Sequence, residues 1–273
     1  IAIIVAFIVV GAFFIKKANY QPFLPYGMHG VFKGATTVFF AFLGFDCISS
    51  SAAEVKNPQK NMPIGIIGTL LVAAVLYMGV SIVLTGMVKY TKLDVANPVA
   101  FALQAVHQDW LAALLSIGAL IGMATMMFTM IYSSSRLIYS ISRDGLLPSF
   151  LNKLDAKTST PKISLWIVAA IIAVMGGLVS LDRLTDLVNI GTLLAFTLVS
   201  FGIIPLRKRK DIGNQGGFRV PWFPVLPIIS GCACLFMMSF LSLDTWIGAG
   251  IWFLIGLALY FGYGYRHSKL ATE

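Results

Sequence analysis

Long apolar segments alternate with short polar connections along the whole chain. A helix that crosses a bilayer needs about 20 consecutive apolar residues, and no two-residue alternation typical of strands competes with this pattern. Backbone groups in lipid must be hydrogen-bonded within their own segment, which favours helices. The pattern predicts one incomplete span and seven complete ones, at 1–15, 32–55, 62–88, 110–139, 163–181, 185–206, 224–243 and 245–265.

Capping signals in the polar connections support this division. Asn97-Pro98 predicts the start of a short amphipathic surface helix within residues 94–107, because Asn caps helix N-termini and Pro fits the first turn. Gly145, followed by Pro148, predicts the end of the 110–139 helix, since glycine is suited to a left-handed cap.

Composition strengthens the membrane interpretation. Hydrophobic residues make up 58% of the 273 residues, charged residues 11%, and the mean hydropathy is +0.86, whereas a soluble domain has about 25% charged residues. This excludes a soluble globular protein, a disordered chain and a nucleic-acid-binding module. Three cysteines in apolar stretches indicate no disulfide framework and no zinc site. Phosphate-binding, zinc-protease and nucleophile-elbow motifs are absent from the sequence, so we expect no enzyme.

The net charge of +9 is better explained by membrane orientation than by a nucleic-acid partner. Fourteen of the twenty Lys and Arg residues fall on one predicted side of the membrane, which should be cytoplasmic. We therefore expect a multi-pass protein in contact with membrane lipid, with residues 266–273 as a cytoplasmic C-terminal tail. The other six are Lys16, Lys17, Lys33, Lys89, Lys92 and Arg183.

The chain opens at Ile1 inside an apolar run, without an initiator Met or the basic start of a signal peptide. We therefore expect it to be the C-terminal portion of a longer membrane protein. Its missing N-terminal helices would then be its partners.

The span FKGATTVFFAFLGFDCISSSAAEVKNP differs from a simple anchor. Asp46 lies near its centre, where a carboxylate costs about 2.5–3.5 kcal/mol on insertion scales, and Gly44 lies two residues before it. Glycine beside a central acid favours a helix that is broken near the bilayer midplane, which is where transporters bind their substrates.

Such a break exposes carbonyls at the negative end of a half-helix, a suitable site for an ammonium group. The candidate acceptors are the carbonyls of Phe40, Ala41 and Leu43, with the Phe40 ring as a lid. Asp46 would hold the break by accepting backbone N–H bonds. In the alternative, Gly44 is a packing contact and Asp46 pairs with a distant base.

Two segments carry a family resemblance. FAFLGFDCISSSAAEVKNPQKNMPIGI resembles the sixth helix and following loop of amino acid permeases of the amino acid–polyamine–organocation superfamily. RLIYSISRDGLLPSFLNKLDAKTSTPKISL resembles the end of their eighth helix and the next loop. The similarity is greatest to the cationic amino acid transporter branch and its bacterial relatives.

The resemblance implies an all-α integral membrane protein with the leucine-transporter-like inverted-repeat fold, of which this chain holds about helices five to twelve of twelve. Residues 1–15 would be the end of a truncated helix, and 32–206 a five-helix repeat whose first helix is discontinuous. Residues 224–265 would form two C-terminal helices. The helix that binds the substrate carboxylate in the family is not within the chain.

The resemblance also implies roles for individual residues. Phe40 would be a gate, Asp46 would organise the site, and the 110–139 helix would line the side-chain pocket, with Met130 setting its size. The expected substrate-binding residues are Phe40, Ala41, Leu43, Asp46 and Met130, and those shaping the site are Gly44, Thr129 and Ser133.

These features predict a secondary active transporter that imports L-amino acids, cationic or small neutral, across the plasma membrane by alternating access. By resemblance we expect proton symport, with no cofactor or metal beyond the coupling proton. The helix expected to carry the coupling lysine falls at or before the start of the chain. Two alternatives stay open: an amino acid exchanger without proton coupling, and a non-transporting membrane sensor.

Overall fold

The computed structural model describes residues 1–45, 55–155, 160–207 and 218–268. Every regular element within these ranges is helical. The α-helices are α1 (Ala2–Ala12), α2 (Gly27–Val38), α3 (Pro58–Met87), α4 (Pro98–Ala105), α5 (Asp109–Arg143), α6 (Lys162–Leu178), α7 (Leu181–Leu206), α8 (Val225–Met238) and α9 (Leu243–Leu259). Short 3-10 turns lie at Lys17–Tyr20, Phe39–Phe42, Tyr90–Lys92 and Ser149–Asn152, and a π-helical turn (Tyr260–Gly264) followed by Tyr265–His267 extends α9.

The helices follow the predicted order of spans but differ from them in length. In the part of the chain that the structure describes, four are long and apolar enough to cross a membrane: α3, α5, α7 and the continuous segment Leu243–His267. The apolar helices α1, α6 and α8 are shorter, with 11, 17 and 14 residues.

The predicted spans 163–181 and 224–243 are therefore too long as single helices. Val179 is extended, and α7 begins two residues later, so the first of these ranges runs into the next helix. The second passes beyond Met238 into a turn that ends at Ser242, the N-cap of α9. Hydropathy does not mark these ends, because the turn residues are themselves small or apolar.

Both capping predictions are confirmed. The Asn97 side chain accepts a hydrogen bond from the Ala100 N–H (3.5 Å), and Pro98 opens α4. Gly145 has a φ of +85° just after α5 ends at Arg143. The caps show that these two boundaries are encoded locally.

The described residues form two compact units. The first contains Ile1–Val31, Ala41–Thr125 and Phe218; the second contains Phe32–Phe40 and the described residues within 126–214 and 219–273. Helices α2 and α5 each contribute residues to both units.

In the first unit, α1 packs closely against α3. A side chain at Gly79 of α3 would place its Cβ 2.9 Å from Ile8 Cδ1, and one at Gly11 of α1 would collide with Val83. Small residues allow this approach between apolar helices. The unit's buried core includes Phe7, Val83, Met87, Ala102, Leu103 and Leu111.

In the second unit, α7 packs against α8. The Ser200 hydroxyl bonds the Ser230 hydroxyl at 3.2 Å, and Gly231 faces the Phe201 ring, leaving no room for a Cβ. The C-terminal part of α2 joins this unit through Phe32, whose ring contacts those of Phe236 and Phe240.

A buried polar clamp, formed by Thr36 and Asn189, holds α2 against α7 and α8. The Asn189 side chain of α7 donates to the Thr36 carbonyl at 3.1 Å, and the Thr36 hydroxyl lies 3.3 Å from the Met237 carbonyl of α8 and 3.1 Å from that of Phe32. Thr36 and Asn189 are 2% and 0% exposed. Because Thr36 is among the last four residues of α2, its carbonyl lacks a regular helical partner, and Asn189 supplies the donor.

We expect Asn189→Ala to destabilise the protein by about 1 kcal/mol, because it leaves the buried Thr36 carbonyl without this donor. Thermal unfolding of the purified protein in detergent measures the effect. The matched control is Thr185→Ala on the same helix, where the hydroxyl bonds back to the Leu181 carbonyl. Equal melting temperatures of the two variants would contradict a stabilising role for the clamp.

Candidate functional site

The α-helical geometry of α2 ends well before the centre of the predicted span. It changes after Val38 into the 3-10 turn Phe39–Phe42, and a turn through Gly44 follows. The 12 residues of α2 cover about 18 Å, which is less than the roughly 30 Å of a hydrocarbon core. Helix α2 thus has the length of a half-helix, and its regular hydrogen bonding ends a few residues upstream of Gly44.

Gly44 has a φ of +113°. A residue with a Cβ is strained in this region of backbone space, while glycine is not. The glycine is therefore required by the local conformation, in addition to any packing role.

The Ala41 carbonyl lies in the 3-10 turn that follows α2 and has a defined side-chain partner. The Tyr77 hydroxyl of α3 donates to it at 2.9 Å. The Tyr77 ring meets the Phe42 ring edge to face, with centroids 5.1 Å apart. All three residues belong to the first unit.

The other expected residues of this segment are partly accessible. Phe40, in the second unit, has its side chain 41% exposed. Leu43, in the first unit, is half-buried. Asp46 lies outside the described residues, so its expected role stays a prediction.

The expected pocket residues of α5 lie in the part of that helix that belongs to the second unit. Met130 and Ser133 are half-buried and Thr129 is exposed. Met130 and Ser133 are three residues apart, so they share a face of the helix. Their roles in selecting a substrate also stay predictions.

Sequence reasoning missed Tyr77 and Asn189, which both donate to carbonyls of the segment that ends α2. Each is a polar group within a long apolar run. A buried amide usually has a hydrogen-bond partner, which applies to Asn189, whereas Tyr77 is 37% exposed. Both were detectable only as polar groups within an apolar run. Only the fold shows which carbonyls they bind.

The described residues also contain a surface groove away from this segment, and they contain no metal-binding cluster. A groove of about 650 Å³ in the first unit runs along the start of α3 between Gln59 and Leu71 and ends six residues before Tyr77. No group of three or more His, Cys, Asp or Glu residues within the described ranges is arranged to hold a metal.

The sequence matches the family described as amino acid permease over residues 1–262. The chain belongs to the amino acid permease family. This membership, with its apolar helices, makes it a multi-pass membrane protein of a transporter family rather than an enzyme.

This chain has relatives that are named for several different substrates. It is 48% identical over 270 residues to the methylthioribose transporter of Bacillus subtilis (strain 168), and 44% identical over 272 residues to the branched-chain amino acid permease BcaP of the same organism. Each match covers 99% of this chain and 58% of the relative. It is 35% identical over 263 residues to the cationic amino acid transporter 9, chloroplastic, of Arabidopsis thaliana, covering 96% of this chain and 44% of the relative. The chain thus spans less than two thirds of the length of these relatives.

We expect Gly44→Ala to destabilise the protein by about 1–3 kcal/mol, because alanine is strained at this φ. The matched control is Gly34→Ala in α2, where nothing lies within 4 Å of a new Cβ and alanine favours the helix. Thermal unfolding in detergent and uptake by intact cells measure the two effects. A Gly44→Ala protein as stable and active as the Gly34→Ala protein would show that the break does not need this glycine.

Proposed function

We propose that this protein is a secondary active transporter that imports L-amino acids, cationic or small neutral, across the plasma membrane. The observation that supports this most is the interruption of helical geometry between Val38 and Gly44 in an apolar segment. Irregular backbone at membrane depth is tolerated where it is buried in protein or lines a cavity. Substrate sites of transporters are built from such interrupted helices.

The chemistry of a helix end accounts for the proposed substrate group. The last carbonyls of a helix carry partial negative charge and accept hydrogen bonds, so they suit a primary ammonium with three donors. The carbonyls of Phe40, Ala41 and Leu43 are the proposed acceptors. Asp46 is the proposed organiser of the break, and Phe40 the proposed gate.

Selection of the substrate's side chain is assigned to α5. Met130 would set the size of the pocket, with Thr129 and Ser133 beside it. In alternating access, one group of helices rocks against a scaffold around the bound substrate, and no covalent step is needed.

Orientation and coupling complete the proposal. The excess of Lys and Arg in alternate connections supports a cytoplasmic C-terminus. Coupling to protons is proposed from the family resemblance. Exchange without protons and a sensing role without transport are the competing proposals.

A second candidate substrate comes from one relative. The protein that is 48% identical to this chain is named for methylthioribose, a sugar derivative that has hydroxyl groups and no amine. Hydroxyl groups also donate to carbonyls, so the same interrupted segment is chemically compatible with a neutral sugar.

Uptake by cells that express the complete reading frame tests the function. The panel is radiolabelled L-isoleucine, L-arginine, L-alanine and methylthioribose. We expect uptake of at least one amino acid, and a loss of more than about tenfold in Asp46→Ala at an unchanged level in the membrane, because an intramembrane carboxylate is normally functional.

The control for this loss is Asp182→Ala, which removes an exposed carboxylate from the first turn of α7. We expect it to transport like the wild type. Wild-type uptake by Asp46→Ala would remove this residue from the site. Uptake of methylthioribose alone would replace the proposed substrate.

Proteoliposomes distinguish symport from exchange. With proton symport, an inwardly directed proton gradient drives accumulation above the external concentration, and a proton ionophore abolishes it. Counterflow in preloaded vesicles persists in both mechanisms. Accumulation that depends on internal amino acid and ignores the ionophore would favour the exchanger.

A further inference from the structure

The hydrogen bond from Tyr77 to the Ala41 carbonyl joins α3 to the 3-10 turn that follows α2. Its length is 2.9 Å, which is within the usual range for a hydroxyl donor. Ala41 lies in the 3-10 turn Phe39–Phe42, outside the α-helical part of the segment. Continuous α-helical geometry therefore does not fix the direction of this carbonyl, and the Tyr77 hydroxyl restrains it.

The Tyr77 side chain is itself held in place. Its ring contacts Phe42 edge to face at 5.1 Å between centroids, and such aromatic pairs favour defined orientations. Gly79, two residues further along α3, packs against Ile8 of α1. The hydroxyl is thus presented from a helix that is anchored in the core of the first unit.

A carbonyl oxygen has two lone pairs. Donation by Tyr77 uses one acceptor position of Ala41, and the oxygen retains the capacity for a second donor. A restrained carbonyl binds a ligand with a smaller loss of conformational freedom than a mobile one. The restraint should therefore increase affinity for a ligand that bonds this oxygen.

We propose that Tyr77 is a positioning residue for substrate binding, whose hydroxyl holds the Ala41 carbonyl in the direction that accepts the substrate's ammonium group. This inference rests on the proposed function, because it assigns the ammonium to Ala41. It adds a residue of α3 that acts through the carbonyl and does not itself touch the substrate.

Tyr77→Phe tests this role, since it keeps the ring that contacts Phe42 and removes only the hydroxyl. The matched control is Tyr20→Phe, because the Tyr20 hydroxyl donates at 2.8 Å to the Ile82 carbonyl of the same helix α3. Both variants are made in the complete protein. Initial rates are measured with whichever of L-isoleucine, L-arginine or L-alanine the wild type takes up fastest, at matched levels in the membrane.

We expect Tyr77→Phe to raise KM by about three- to tenfold, the effect of one hydrogen bond, with the maximal rate per molecule within about twofold of the wild type. Tyr20→Phe should leave KM unchanged, although each variant loses one hydrogen bond that involves α3. An unchanged or lower KM in Tyr77→Phe would overturn the proposal while the transport function stands, and so would an equal rise in Tyr20→Phe.

Failure of Tyr77→Phe to reach the membrane would also overturn the proposal, because the hydroxyl would then be needed for folding. Absence of amino acid uptake by the wild type would instead overturn the proposed function. The two failures are therefore distinguishable in one experiment.

Discussion

The constraint on which this structure depends is the need of every backbone polar group in lipid for a hydrogen-bond partner. A continuous helix satisfies this internally, and an interrupted one does not. Side chains meet the need at the end of α2: Asn189 donates to the Thr36 carbonyl in the second unit, and Tyr77 donates to the Ala41 carbonyl in the first. Gly44 allows the turn that follows. The end of α2 is thus stabilised by specific residues.

Carbonyl acceptors have consequences for selectivity. They bind any group that donates hydrogen bonds, and they do not discriminate between ligands that differ in the rest of the molecule. Relatives of this chain are named for methylthioribose, branched-chain amino acids and cationic amino acids. Under the proposed function, a common backbone feature would accept hydrogen bonds from the ammonium or hydroxyl group of each ligand, while side chains such as Met130 would distinguish the ligands.

The sequence predicted the helical class, the order of the apolar segments and the two helix caps, because these follow from local composition and capping chemistry. It also pointed to irregular geometry near Gly44. It did not predict that α2 ends at Val38, nor the short lengths of α6 and α8. Hydropathy cannot distinguish an apolar turn from an apolar helix. Tyr77 and Asn189 were missed because their partners, Ala41 and Thr36, are 36 and 153 residues away in sequence. Asp46 and its neighbours, at 46–54, lie outside the described residues.

The most direct test of the central claim is whether binding requires the ammonium group. Uptake of the transported L-amino acid is measured against its 2-hydroxy acid counterpart as a competitor, which keeps the carboxylate and side chain but replaces the amine. The account predicts that the hydroxy acid competes about 10- to 100-fold more weakly than the unlabelled amino acid, the usual effect of hydrogen bonds to a charged group. Equal competition by the two compounds would contradict it.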